Sequence, residues 1–484
     1  MPCAKARLRR QFRDRLFGRS PLPEGRAIRY SDCCERVKRE RRHMRKRRTI
    51  WLTRCGKGHL VGEPGFSGSA RRECGLAARR LSMTSGFKRA ATLTLALGFV
   101  VSTAIFSTAA AAASGAAPEV RVHPADYVYS YPAEQQRGLY SAVIQNVAVW
   151  SPDATFTLDA VEIQALRGGQ PELTRTVAAS DLDNAARTIS SMSRQGSLRR
   201  YDFYFQTSRF LPDHVKFAAT RTLEPGSAIL ITSIPMLFDP AVDEIVITAR
   251  GTPADGKPVQ TRTSLKVKRY RSSNDYHLPV AGTWYVACAP SLQSHHRWSV
   301  SQEFAIDLDS LGANSRTHTG QGAKLSDYDG YGKDVMAAAD GVVVEAHEGA
   351  PESDSNLQQP GESKGAYQGR WQAQQNALIE KDYRELFGNY VVIRHEGGEF
   401  STYEHLRAGT VKVKKGDVVK RGQAIGQLGH SGNSTSPHLH FQVSDGPDPA
   451  YSRSIPVVFS NVYVEILGYE NVPLQSGWIV TAQP

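Results

Sequence analysis

Residues 410–443, TVKVKKGDVVKRGQAIGQLGHSGNSTSPHLHFQV, decide the fold. Short apolar–polar alternations are cut by Gly416, Gly422 and Gly429, a pattern of β-hairpins with glycine turns rather than of helix. The stretch ends in His438-Leu439-His440. Side chains alternate faces along a strand, so the two imidazoles point one way and Leu439 the other. A half-buried strand can carry two such histidines without function, so any metal would need donors from elsewhere in the chain.

The same β character extends outward through DVMAAADGVVVEA (334–346) and NYVVIRHEGGEFSTYEHL (389–406), which places a β domain over residues 281–484. Two segments interrupt it. Residues 313–332 are polar and Gly-rich and read as a loop. Residues 348–388 form an insertion that begins as a loop and continues as a helix from Tyr367 to Phe387, with Trp371, Leu378 and Leu386 as packing residues. Upstream, residues 118–280 alternate in short segments such as TFTLDAVEIQAL, AILITSIPMLF and DEIVITARG, separated by turn-rich joints. This predicts an all-β chain, with an N-terminal β-sandwich accessory domain ahead of the second β domain. Arg199-Arg200 and KVKRYR read as solvated faces.

The 484-residue chain has a formal charge of +13, which would suit a nucleic-acid partner if it were spread over the fold. It is concentrated at one end. Residues 1–82 hold 24 Lys+Arg against 7 Asp+Glu, leaving 36 against 40 over residues 83–484. Cysteine divides similarly, with only Cys288 beyond residue 74, so a disulfide framework in the main body is excluded. Residues 83–117 open with Met83, carry Lys88 and Arg89, then an apolar run, then small residues, the layout of a secretory signal peptide. The expectation is an exported protein, periplasmic or at the cell wall. No nucleic-acid partner is expected. A membrane is involved only if that segment stays uncleaved, and residues 1–82 are read as a basic extension outside the fold. Oligomeric state is not legible.

Three further segments offer donors. His405 ends a strand in STYEHL, Asp307 closes the apolar run of QEFAID, and His295 and His296 lie just upstream in QSHHRW. With His438 and His440 these six groups allow more than one division into ligands and catalysts. Two histidines and one aspartate would leave zinc an open position for water.

These ordered motifs, from QEFAID through YGKDVMAAADGVVV and GNYVVIRHEGGEFSTYEHL to KKGDVVKRGQAIGQLGHSGNSTSPHLHF, resemble the lysostaphin and LytM-type zinc endopeptidases that cleave peptidoglycan peptides. The resemblance covers roughly residues 285–450. It implies paired β-sheets bordering a groove, Zn2+ as cofactor and a peptidoglycan peptide as substrate. Carried over residue by residue, it implies Asp307 and His440 as zinc ligands and His405 and His438 as the unligated catalytic pair. The remaining ligand should be the His of an H-x-x-x-D motif, but Glu303 stands four residues before Asp307. His296 is preferred, reaching back across a loop, with His295 as its rival. Asp309 is a weaker rival to Asp307, and Ser436 replaces the usual Gly before Pro437. There is no H-E-x-x-H, so a zincin-type Glu base is not available.

The remaining residues take structural readings. His123, His214, His277, His318, His347 and His395 are expected at the surface or in structural roles, and Cys288 in the core. Tyr390 and Tyr403 are open to either substrate contact or packing. Two other functions compete with the enzyme: a catalytically inactive peptidoglycan-binding protein or activator of another wall hydrolase, and a biotinyl or lipoyl-type carrier suggested by VKKGDVVKRGQAIGQLG. The export layout and the His/Asp set argue against the carrier.

Overall fold

The computed structural model describes residues 117–134, 138–254, 256–465 and 467–483. The proposed signal segment falls outside these apart from residue 117, and residues 1–82 fall outside them entirely.

Two sheets form the first layer pair. One runs through Glu119–His123, Leu139–Ser151 and Ser227–Phe238, the other through Val259–Lys268, Glu244–Pro253, Phe156–Arg167 and Gln170–Ala178. Phe156–Arg167 buries Phe156 and Leu158, then, after skipping a residue at Asp159, Val161, Ile163 and Ala165, in one core with Ile144, Val147 and Ile229 of the facing sheet. Its pairing with Glu244–Pro253 shifts register at Arg250/Gly251. Gly251 is obligatory there, because a Cβ would lie 2.6 Å from the Phe156 ring and closer still to the Thr157 carbonyl.

A helix, Ala179–Arg194, stands where the sequence reading had only strands. Its buried Leu182, Ala186 and Ile189 follow helical spacing, an amphipathic period that a reading of the whole region as strands passed over.

The second half holds a ten-stranded antiparallel sheet and a separate two-stranded one, Asp334–Met336 with Ala424–Gln427. At the centre of the large sheet lie four strands in spatial order: Phe400–Leu406, Leu439–Ser444, Ile306–Ser310 and Gly282–Cys288. Their inward face packs Tyr403, Leu406, Leu439, Phe441, Ile306, Leu308, Trp284 and Val286 into one core. That core also takes in Tyr129, Tyr131, Tyr276, Leu278 and Val280 from upstream of residue 281. The Tyr131 hydroxyl donates to the Leu474 carbonyl at 2.9 Å, and the Gln475 amide donates to the Pro132 carbonyl at 2.9 Å.

The inserted helix spans Lys364–Lys381 and is N-capped by Ser363, whose side chain accepts from the Ala366 amide. It therefore starts three residues earlier than predicted. After Lys381 the chain tightens into a 3₁₀ turn over Tyr383–Phe387, itself capped by Asp382. Among its predicted packing residues Trp371 and Leu378 are only half-buried, and Ile379 is the buried one.

Candidate metal centre

Strand register builds the centre. Asp307 lies opposite Cys288 on one side and His440 on the other, and His440 lies opposite Glu404. Directly paired residues share a face, so Cys288, Asp307, His440 and Glu404 form a row across four strands, on the face opposite the core. His440 Nδ1 is 3.0 Å from Asp307 Oδ1, and His438 Nε2 is 3.8 Å from the same oxygen. Leu439 is fully buried in the core behind them, as strand alternation requires.

His405 joins by breaking that alternation. Tyr403 and Leu406 both face the core, and Glu404 faces the row, so a regular strand would send His405 inward. Instead His405 has φ 62°, the left-handed region that non-glycine residues rarely occupy. Between the pairs Val391↔Tyr403 and Asn389↔Leu406 the His405 strand carries one extra residue, a bulge that re-aims the side chain. The His405 ring then lies 4.9 Å from that of His438 and 6.2 Å from that of His440, centroid to centroid.

His296 arrives on a short 3₁₀ turn, His296–Trp298. Its Nε2 is 2.8 Å from Asp307 Oδ2, and its ring is 4.7 Å from that of His440. Glu303, where the family pattern would place a histidine, has another task. Its carboxylate accepts from Arg297 at 2.5 Å, and both side chains are fully buried. Arg297 also donates to the Ser141 carbonyl at 3.2 Å, and the Gln145 amide donates to the Arg297 carbonyl at 3.0 Å. The long central strand Leu139–Ser151 thus braces the turn that carries His296.

Every one of the four imidazoles has one nitrogen committed elsewhere. His405 Nδ1 faces the Ser431 carbonyl at 2.9 Å and His438 Nδ1 the Ser436 carbonyl at 2.7 Å. A carbonyl only accepts, so these nitrogens carry the protons and Nε2 is the free atom. His440 Nε2 is 3.2 Å from Gln442 Oε1, whose amide nitrogen is fixed on the Pro449 carbonyl at 3.1 Å. His296 Nδ1 is 3.3 Å from Gln302 Oε1. Metal-binding histidines are held in this way, with one N–H donated to a protein acceptor and the other nitrogen turned to the ion. The residues present therefore fit a divalent cation: His296 Nε2, Asp307 and His440 Nδ1 converge, and Asp307 and His440 are 6% and 1% exposed.

The charges are consistent with this arrangement. Burial works to raise the Asp307 carboxyl, yet His296, His440 and His438 hold it well below the usual carboxylate range. Burial works to lower His440, but Glu404 and Asp307 raise it to about 9. Burial, then His438 and His440, keep His405 well below the usual imidazole range, so it is neutral at pH 7. Asp309, the weaker rival to Asp307, is half-buried, and burial raises it to about 6.

Sequence reasoning missed three neighbours. Glu404 is buried with Oε1 unpaired, 3.9 Å from His440 Nε2. Gln442 orients the same ring. Cys288 is not a core residue: it is half-exposed, opposite Asp307, with Sγ 3.6 Å from His295 Nδ1. Burial and then Asp307 push its thiol up to about 12, so it is no nucleophile. Tyr390 and Tyr403 resolve as packing residues, 2% and 0% exposed. His395 is structural, bridging the Asp340 carbonyl and the Ser401 hydroxyl.

Residues 372–450, which contain His405, His438 and His440, match the sequence profile of Peptidase family M23. The match is confined to this segment, 79 of the 484 residues. The chain is 42% identical over 72 residues to the peptidoglycan DD-endopeptidase ShyC of Vibrio cholerae, and 37% identical over 94 residues to lysostaphin of Staphylococcus simulans. These matches cover 15% and 19% of this chain, and 16% and 19% of the relatives. The chain thus spans less than a fifth of the length of either relative. Among solved structures, the catalytic domain of lysostaphin from Staphylococcus simulans shares 20% identity, covering 36% of this chain and 88% of that one, with TM-score 0.21. A zinc-containing peptidase from Vibrio cholerae shares 13%, covering 70% and 86%, with TM-score 0.19. TM-scores this low add nothing to the fold, which the strand register defines. His296 and Asp307 lie upstream of the matched segment; Asp307 enters the centre through strand pairing and His296 on its 3₁₀ turn.

Proposed function

We propose that the chain is an exported, zinc-dependent endopeptidase that hydrolyses peptide bonds of bacterial peptidoglycan. The observation that carries this reading is the convergence of four imidazoles and Asp307, each ring held by one nitrogen with the other turned inward. The M23 segment, and its likeness to peptidases named for peptidoglycan, point to the substrate class. The export layout of residues 83–117 and the division into a 118–280 accessory domain and a 281–484 catalytic domain belong to the same proposal.

In this reading His296, Asp307 and His440 hold the ion. Zinc bound there supplies Lewis-acid polarisation of the scissile carbonyl. Neutral His405 presents Nε2 as a proton acceptor for the attacking water, its ring fixed by Ser431. His438, its Nδ1–H fixed by Ser436, would meet the developing oxyanion through Nε2 only when that atom is also protonated, and the proton that His405 takes from the water would then be available to the leaving amine. Gln442 keeps the His440 ring from turning, and the Glu404 carboxylate lies 3.9 Å behind it.

The test is digestion of purified sacculi with the zinc-loaded protein, followed by separation of the released muropeptides. Cleavage is expected, and His440→Ala should abolish it. A zinc-replete wild type that releases no peptide would overturn the enzyme reading in favour of an inactive binding protein.

A further inference from the structure

Asp307 belongs to two donor sets at once. Besides the three-donor set with His296 and His440, the ligand atoms of Cys288, His295, His296 and Asp307 all lie within 4.8 Å of one another. Cys288 Sγ and His295 Nδ1 are 3.6 Å apart, and the His295 and His296 rings lie 3.9 Å apart, centroid to centroid. Ligands of a tetrahedral zinc ion stand roughly 3.3–3.7 Å from each other, so small side-chain shifts bring all four to one ion. His295 is exposed and Cys288 half-exposed, which gives a cation an entry path from solvent.

We propose that Cys288, His295, His296 and Asp307 form a closed site for a thiophilic divalent cation, Zn2+ or Cd2+, that competes with the three-donor position. The proposal rests on the reading of His296, Asp307 and His440 as the catalytic ligand set. His296 offers a single lone pair at Nε2, so an ion held with Cys288 leaves the other position without a ligand. Three protein ligands leave an exchangeable position for water, whereas four close the ion off, as in structural zinc sites. An ion in the closed site is therefore stored rather than catalytic. The thiol gives up its proton to solvent on binding, since a coordinating thiol is deprotonated by the cation itself. Sulfur biases the closed site toward softer ions.

Titration of the full chain with Co2+ tests this through thiolate-to-metal charge-transfer absorption in the near ultraviolet. Wild type should show a component that is lost in Cys288→Ser and in His295→Ala. The other five cysteines, all within residues 1–82, contribute equally to each spectrum, so the readout is the difference. His295 is at the surface, so its variant keeps the test valid should Cys288→Ser fold poorly. Identical spectra for wild type and both variants would overturn the closed site. His440→Ala separates the two readings. Retained hydrolysis there overturns the catalytic assignment alone, and loss of the Cys288-dependent absorption there overturns the closed site.

Discussion

At the residue scale, the left-handed backbone of His405 is the sharpest departure from a regular strand. Such a conformation costs a non-glycine residue roughly 1–2 kcal/mol, and the surrounding pairing holds it in place. His405→Gly and His405→Ala should both lose hydrolysis by roughly 100- to 10,000-fold. They should differ in stability, with the glycine variant more stable by about 1 kcal/mol in urea unfolding because only alanine keeps the strain. Equal stabilities would show that the strain is relieved elsewhere. Asp307, His405, His438 and His440 could be named as candidate donors from sequence because each stands in or at the end of an apolar strand, whereas His296 lies in polar QSHHRW and was preferred to His295 only to complete the set that the resemblance implied. Glu404, adjacent to His405, could not. Alternation puts neighbours on opposite faces, and only a bulge that no sequence pattern announces brings both to one side.

At the element scale, the Arg297–Glu303 pair closes the loop that returns His296 to Asp307. Removing one member of a buried ion pair leaves an uncompensated charge and costs roughly 3–5 kcal/mol. Glu303→Ala should lose that much in urea unfolding and weaken metal retention in chelator competition, although Glu303 touches no ligand. Arg297→Met combined with Glu303→Leu should recover much of the stability, since well-packed apolar residues often replace such pairs at little cost. Sequence showed the missing histidine at position 303 but not its reason, because Arg297 is paired from another strand as well as from its own loop. The inserted helix was legible to within a few residues, since its cap and length are local properties. Ala179–Arg194 was legible too, in Leu182, Ala186 and Ile189 at helical spacing, but it was absorbed into the strands read on either side of it.

At the scale of the whole molecule, the connector between the two halves is fastened by one carboxylate. Glu399 accepts from Tyr270, Ser272, Asn274 and Tyr276 at 2.5, 2.7, 2.9 and 2.8 Å. Burial would raise this carboxyl, but the four donors hold it below the usual range. A folded value below the unfolded one means that its stabilisation is complete above the unfolded value of about 4.3. It is lost as pH falls through the folded value. Stability should therefore drop on acidification below about pH 4.3, and Glu399→Gln should be less stable at pH 7 by roughly 1.5–3 kcal/mol. The variant should also show a shallower acid dependence in urea midpoints, and an unchanged slope would remove Glu399 as its source.

The bonds from Tyr131 to Leu474 and from Gln475 to Pro132 also bear on the chain's birth. A ribosome adding 5–20 residues per second needs roughly 20–70 s to travel between those two ends. Throughout that interval the aromatic pair Tyr129 and Tyr131 has no finished partner surface. The core that backs the metal centre can close only after Gln475 has been made, so the growing chain stays open and threadable until then.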